Sequence, residues 1–303
     1  MSEDDTEGGA PWIDLEAQGQ LSWREGDIVI SVPPKSGTTW MMNIVHQLRT
    51  GGDGEFEDIY VEVPWLELVE GPGQTREERL RRWDALPRER RRAFKTHAAP
   101  PMVPYVAPDA GGPAVQYVVV MRSPEEAAVS MRPFLASHTQ AFHELWGMDE
   151  MHYDSFATFF TEIVEGIGLG RAFFEFLASW WPLRDQPNVE LIHFSALKRD
   201  PEGTIRSLAE KLGFSLDAAQ WRRVLEHVSF AWMKANHRKF DMQDVAQVPI
   251  LKAGGMVRKG QVGKAHEEGM TEAFAARLRA FSEGIIDDPV ALSWLYGGGA
   301  TTS

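Results

Sequence analysis

Ile28, Val29, Ile30 and Val32 form a short apolar run closed by Pro33-Pro34, and from Thr39 onward Trp40, Met41, Ile44, Val45 and Leu48 recur at helical spacing. A short apolar run suits a strand buried on both faces, whereas recurrence at three and four residues suits an amphipathic helix. The pattern therefore predicts a strand over 27–32, a tight loop, and a helix that Thr50-Gly51-Gly52-Asp53-Gly54 stops. Further strands are predicted over 92–96 and 114–121, where Val118-Val119-Val120 marks burial on both faces, as in a parallel sheet. Arg122-Ser123-Pro124 then opens a helix, a Phe-rich helical pattern runs over 155–181, and a strand over 189–194 precedes a helix over 201–212. This alternation predicts a single α/β domain over 11–303, with a mostly parallel central sheet flanked by helices and right-handed crossovers. Residues 1–10 are acidic and polar and are expected to form a disordered tail.

Composition narrows the chemistry. The 303 residues carry 31 Lys plus Arg against 44 Asp plus Glu, a formal charge of −13, and 43% of them are hydrophobic. A fully disordered chain is excluded by that apolar fraction. Because the sequence contains no Cys, disulfide scaffolds, thiol nucleophiles, Cys-based zinc sites and iron–sulfur clusters are excluded as well. The acidic start lacks the basic and apolar regions of a secretory signal, so the expected compartment is the cytoplasm, and no apolar run is long enough for a membrane span. Net acidity argues against nucleic acid as a partner, though it leaves a small anion open, since local charge can oppose global charge. Between Arg76 and Lys95, eight Arg and one Lys stand against Glu77, Glu78, Asp84 and Glu89, a local balance of +5. Such a run reads either as a solvated helical face or as a means of drawing an anion inward.

The segment Pro33-Pro34-Lys35-Ser36-Gly37-Thr38-Thr39-Trp40 lies between a predicted buried strand and a helix. A helix start leaves backbone N–H groups unpaired and carries partial positive charge, so it favours a phosphate or sulfate. Gly37 permits close backbone approach, Ser36, Thr38 and Thr39 add hydroxyls, and Lys35 adds a full charge. An ordinary capped turn would also use Ser, Thr and Gly, but has no call for the Lys. The pattern G-x-x-x-x-G-K-[ST] is not met, because the Lys precedes the Gly. The strand over 114–121 ends in Arg122, where a nucleoside-triphosphate enzyme would place an Asp for magnesium, so protein cations are expected to meet the anion and no metal is expected.

With these residues in place the sequence resembles the cytosolic sulfotransferase family, which uses 3′-phosphoadenosine 5′-phosphosulfate (PAPS) as sulfuryl donor. Its 5′-phosphosulfate loop is similar to Pro34-Lys35-Ser36-Gly37-Thr38-Thr39-Trp40, and its Lys-Thr-His element to Lys95-Thr96-His97. Its 3′-phosphate segment resembles Val120-Met121-Arg122-Ser123-Pro124 through Ala128-Val129-Ser130, and its late loop resembles Arg258-Lys259-Gly260. The four motifs occur in family order, and the resemblance spans about residues 20–285. It implies that Lys35 and residues 36–39 hold the 5′-phosphosulfate, and that Arg122, Ser130, Arg258, Lys259 and Gly260 hold the 3′-phosphate. Trp40 and Phe230 resemble the family's adenine-stacking pair. His97 would act as general base toward a hydroxyl of a small, apolar or aromatic acceptor, with Lys35 and Lys95 offsetting charge on the transferring group.

The segment after Ser130 holds His138, His143 and His152 among Phe134, Phe142, Trp146, Met148, Met151 and Tyr153. It reads as an acceptor pocket or as local core, and the His spacings do not suit a metal site. Departures from the family cluster late. Lys264-Ala265-His266-Glu267 follows Gly263 where the family continues Gly-Asp-Trp-Lys, and the segment forming a small dimer interface in animal members has no counterpart, so the oligomeric state stays open. Phe194 and Val228 replace a Tyr and a Thr that meet the nucleotide. Two other readings remain at this point: an ATP-dependent kinase of the phosphate-loop class, and a nucleotide-binding protein without turnover.

Overall fold

The computed structural model describes residues 10–258, 260 and 262–299. The expected tail and Lys259 thus lie, in whole or nearly so, outside the described residues. Four strands, β1 (Asp27–Ser31), β2 (Ala93–Thr96), β3 (Val115–Met121) and β4 (Val189–His193), form one sheet in the order β2-β1-β3-β4, and every pairing is parallel. The longer helices are α1 (Thr38–Thr50), α2 (Arg76–Asp84), α3 (Pro124–Leu135), α4 (Leu169–Trp180), α5 (Pro201–Lys211), α6 (Ala218–His227), α7 (Glu272–Glu283) and α8 (Pro289–Tyr296).

Two cores explain the near-continuous apolar strands. Side chains alternate along a strand, so Ile28, Ile30 and Val32 pack with Met41, Ile44, Val45 and Leu48 of α1 on one face. Val29, Tyr117 and Val119 pack with Phe174, Leu177 and Trp180 of α4 on the other. A sheet covered on both faces needs apolar residues at every position, which is why its strands show no polar alternation.

The helical pattern over 155–181 is not one helix. A short α turn at Phe156–Phe159 passes into a π-helical stretch at Phe160–Gly166, and α4 starts only after Gly168, whose φ of +77° lies in the left-handed region. Glycines at 166 and 168 break the path without disturbing the apolar spacing, so periodicity alone joins the two pieces. Residues 194–199 also form a helical turn (Phe194–Arg199) before α5, so the predicted strand ends one residue early.

Candidate active site

In a parallel sheet the loops after the strands gather at one end, and ligands bind where the strand order changes direction. Here β1 is central, with β2 on one side and β3 on the other. The loops after β1, β2 and β3 bring Lys35, His97 and Arg122 to the wall of one cavity of about 920 Å3.

The loop after β1 is shaped by two left-handed residues, Lys35 at φ +64° and Gly37 at φ +100°. Among the described residues no side chain caps α1, and its first backbone bond runs from Met41 N to Gly37 O at 3.0 Å. The amides of the first turn therefore have no cap among the described residues, an arrangement suited to an anion. A Cβ at Gly37 would stand 2.6 Å from the Phe194 ring, so both the conformation and the space require glycine. Ser36 is buried and its Oγ has no hydrogen-bond partner. Thr38 and Thr39 are buried, with Thr39 Oγ1 3.3 Å from the Tyr60 hydroxyl. Trp40 donates its indole N–H to Val228 O at 2.8 Å, and its ring meets Phe194 edge-on.

The loop after β2 is held by a segment that sequence reasoning missed. Residues 64–66 run alongside β2, with Lys95 N donating to Pro64 O and Leu66 N to Lys95 O, both at 2.9 Å. This sets the Trp65 ring under the Lys95 ammonium, 3.1 Å from the centroid, and edge-on to His97 at 5.2 Å. The same segment buries Glu67, whose Oε1 accepts from Thr96 Oγ1 at 2.6 Å, His97 N at 2.7 Å and Ala98 N at 3.1 Å. One carboxylate oxygen thus fixes three consecutive residues of the loop.

His97 Nδ1 lies 2.6 Å from Val32 O. A carbonyl can only accept, so Nδ1 carries the proton and Nε2 keeps its lone pair. Burial, with Lys95 and Lys35 nearby, holds His97 well below the usual imidazole range, so it is neutral at pH 7. Burial also lowers Lys95, with Lys35 adding to the effect and Glu67 opposing it. Lys35, its ammonium 3.8 Å over Phe134, is lowered to about 7 by burial and by Arg122 and Arg258.

On the far side of the cavity, Arg122 donates to Lys35 O at 3.2 Å and to Glu126 Oε2 at 2.8 Å. Ser130 of α3, Phe230, Arg258 and Gly260 line the same space. Gly260 has φ +60°, and a Cβ there would stand 2.6 Å from the Phe230 ring. The late departures form a short turn, His266–Glu268. Lys264 N donates to Glu126 Oε1 at 3.0 Å, Ala265 is buried, and Arg258 pairs with Glu268 at 3.0 Å. Glu126 and Glu268 were not singled out from the sequence, because acids that pair with distant arginines carry no local signature.

Other sequence candidates separate. Phe134, Met151 and Tyr153 line the cavity. His138 and His143 are instead buried against Phe142, which packs on Trp12, and His152 is exposed beside Asp154. Much of that segment is core. Among the described residues no group of three His, Cys, Asp or Glu could hold a metal, and no helix is long and apolar enough to cross a membrane.

Comparison with known proteins supplies the family. The Sulfotransferase domain model matches residues 25–291. Rat Sulfotransferase 2A1 is 25% identical over 275 residues, 86% of this chain and 88% of that protein. Mouse Sulfotransferase 1B1 is 28% identical over 239 residues, 76% and 74% of the two chains. Among solved structures, mouse sulfotransferase SULT7A1 complexed with PAP has a TM-score of 0.68 at 19% identity, covering 93% of this chain and 92% of that one. Retinol dehydratase in a complex with retinol and PAP has a TM-score of 0.64 at 22% identity, covering 88% and 83%. The structural neighbours share the fold, the family model spans nearly the whole chain, and the protein is an enzyme belonging to the sulfotransferase family.

Proposed function

We propose that the protein transfers a sulfuryl group from PAPS to a hydroxyl of a small, neutral, largely apolar acceptor. What carries this reading is His97. Its Nδ1 is pinned to Val32 O, which leaves a neutral Nε2 in the cavity that Lys35 and Lys95 also line. The 5′-phosphosulfate is assigned to Lys35, Ser36, Gly37, Thr38 and Thr39, and the adenine to Trp40 and Phe230. The 3′-phosphate is assigned to Arg122, Ser130, Arg258, Lys259 and Gly260. The partnerless Ser36 hydroxyl and the uncapped first turn of α1 support the fit at one end, and two arginines on one wall support it at the other.

In the reaction, the acceptor oxygen attacks sulfur in line with the departing 5′-phosphate oxygen. The O–S bond forms as the S–O bond to phosphate breaks, the hydroxyl proton passes to His97 Nε2, and the bond electrons leave on the phosphate. Lys35 and Lys95 offset the charge on the sulfuryl oxygens and the leaving oxygen. The acceptor half of the cavity is lined by Trp12, Ile13, Met102, Phe134, Met151 and Leu169, so a charged acceptor would lose hydration without a partner. Retinol dehydratase, which shares the fold, has been crystallised with retinol and with androsterone, both apolar molecules.

His97→Ala should abolish transfer of radiolabelled sulfuryl to a panel of phenols and alcohols while 3′,5′-bisphosphoadenosine still binds, as read by calorimetry. Wild-type turnover in that variant would remove His97 as base. Preference of the wild-type protein for Mg-ATP over the bisphosphate would remove the donor assignment.

A further inference from the structure

The 3′-phosphate side of the cavity contains its own anion. Arg258 donates to Glu268 Oε2 at 3.0 Å, and Glu268 lines the cavity together with Arg122, Arg258 and Gly260. Arg122 feels Glu268 as a favourable charge and Arg258 as an unfavourable one, so the carboxylate serves both arginines. It ends the turn His266–Glu268, directly after the Lys264-Ala265-His266-Glu267 departure from the family pattern. Glu126, the other acid nearby, is differently employed. One of its oxygens accepts from Arg122 and the other from Lys264 N, which ties the late segment to α3.

We propose that Glu268 tempers the site's preference for the donor, as a carboxylate stand-in for the 3′-phosphate that this phosphate must displace. The proposal rests on the assignment of Arg122 and Arg258 to the 3′-phosphate. Two arginines facing one another repel, and a carboxylate beside them relieves that repulsion. A 3′-phosphate satisfies the same donors with more charge, and on arrival it meets Glu268 as a like charge. A nucleotide without a 3′-phosphate leaves Glu268 in its pair and meets no such opposition. Glu268 therefore weakens binding of the bisphosphate selectively. A purely structural role, in which Glu268 holds Arg258 in place for the phosphate, has the opposite sign, because removing the carboxylate would then loosen donor binding.

The test is calorimetric titration of the wild-type protein, Glu268→Gln, Glu268→Ala and Arg258→Ala with 3′,5′-bisphosphoadenosine and with 5′-AMP. Glu268→Gln keeps an oxygen that can accept from Arg258 while losing the charge, and thermal melts check that every variant is folded. Both Glu268 variants are expected to bind the bisphosphate roughly fivefold tighter or more, with 5′-AMP unchanged. Equal or weaker binding of the bisphosphate, or equal tightening for both nucleotides, overturns the proposal. Failure of the underlying assignment looks different. In that case Arg258→Ala binds the bisphosphate as the wild type does, whatever the Glu268 variants do, and the proposal falls with it.

Discussion

Lys35 is the residue on which the electrostatics of the site turn. Burial and the facing Arg122 and Arg258 bring its ammonium to about 7, so near neutrality the free protein holds it only partly charged. A phosphosulfate or phosphate against it favours the charged form and raises that value. Between the two values, binding takes up a proton, so donor affinity falls as pH rises through about 7 and levels off below it. His97 and Lys95 are the other titrating neighbours. His97 is already neutral across this window, and Lys95, held well below its usual range by burial despite the Glu67 carboxylate, adds to any proton uptake. Calorimetry of 3′,5′-bisphosphoadenosine binding, in buffers of different ionisation enthalpy, should show proton uptake at about pH 8 and little at about pH 6. Lys35→Arg, which does not titrate there, should show less uptake at about pH 8 than the wild type. Absence of uptake in the wild-type protein at the higher pH would mean that Lys35 is fully charged before the donor arrives. That Lys35 is a candidate anion ligand is legible in the sequence, since a Lys among small polar residues after a buried strand has few other uses. Its lowered proton affinity is not legible, because that depends on burial and on arginines 87 and 223 positions away in the chain.

At the scale of elements, the apolar periodicities predict all four strands, because two covered faces demand near-continuous apolar runs. The pairing of residues 64–66 with β2 escapes such reading. That segment is short and irregular, its register is set by contacts with Lys95, and nothing in Pro64-Trp65-Leu66-Glu67 alone states that it lies beside a strand thirty residues on. Yet it supplies the seat of Lys95 and the clamp on the His97 loop. Glu67→Ala would leave the His97 amide without its acceptor and take one of two partners from the Ala98 amide and the Thr96 hydroxyl, and such losses cost about 1–3 kcal/mol. The variant should melt at lower temperature and unfold at lower urea concentration, whereas Glu67→Gln, which retains one carbonyl oxygen, should fall between it and the wild type. A Glu67→Ala protein as stable as the parent would show that the loop finds other partners and that the clamp is incidental. The break between Gly166 and Gly168 gives the converse lesson, since helical spacing survives across a discontinuity that only backbone geometry reveals.

For the molecule as a whole, a charge of −13 coexists with a cavity wall bearing Lys35, Lys95, Arg122 and Arg258, so net charge says little about a small anion. The arginine-rich run settles differently from either reading the sequence allows. Arg76 and Arg79 pair with Asp14, Arg82 with Glu70, Arg90 with Glu62 and Arg92 with Asp27. Five of the eight arginines are therefore tied to acids from other segments, which offset most of the local excess of +5. Arg92 and Asp27 are both buried, joined by bonds of 2.5 and 2.9 Å at the start of β1 and just before β2. Removing one member of such a pair leaves an uncompensated buried charge, at a cost of about 3–5 kcal/mol. Arg92→Ala should thus lower stability by that amount in urea unfolding, while the folded protein binds 3′,5′-bisphosphoadenosine as before. If the run drew the nucleotide inward, the same substitution would weaken binding and leave the unfolding midpoint near that of the wild type, so the two measurements together separate a structural charge from a functional one.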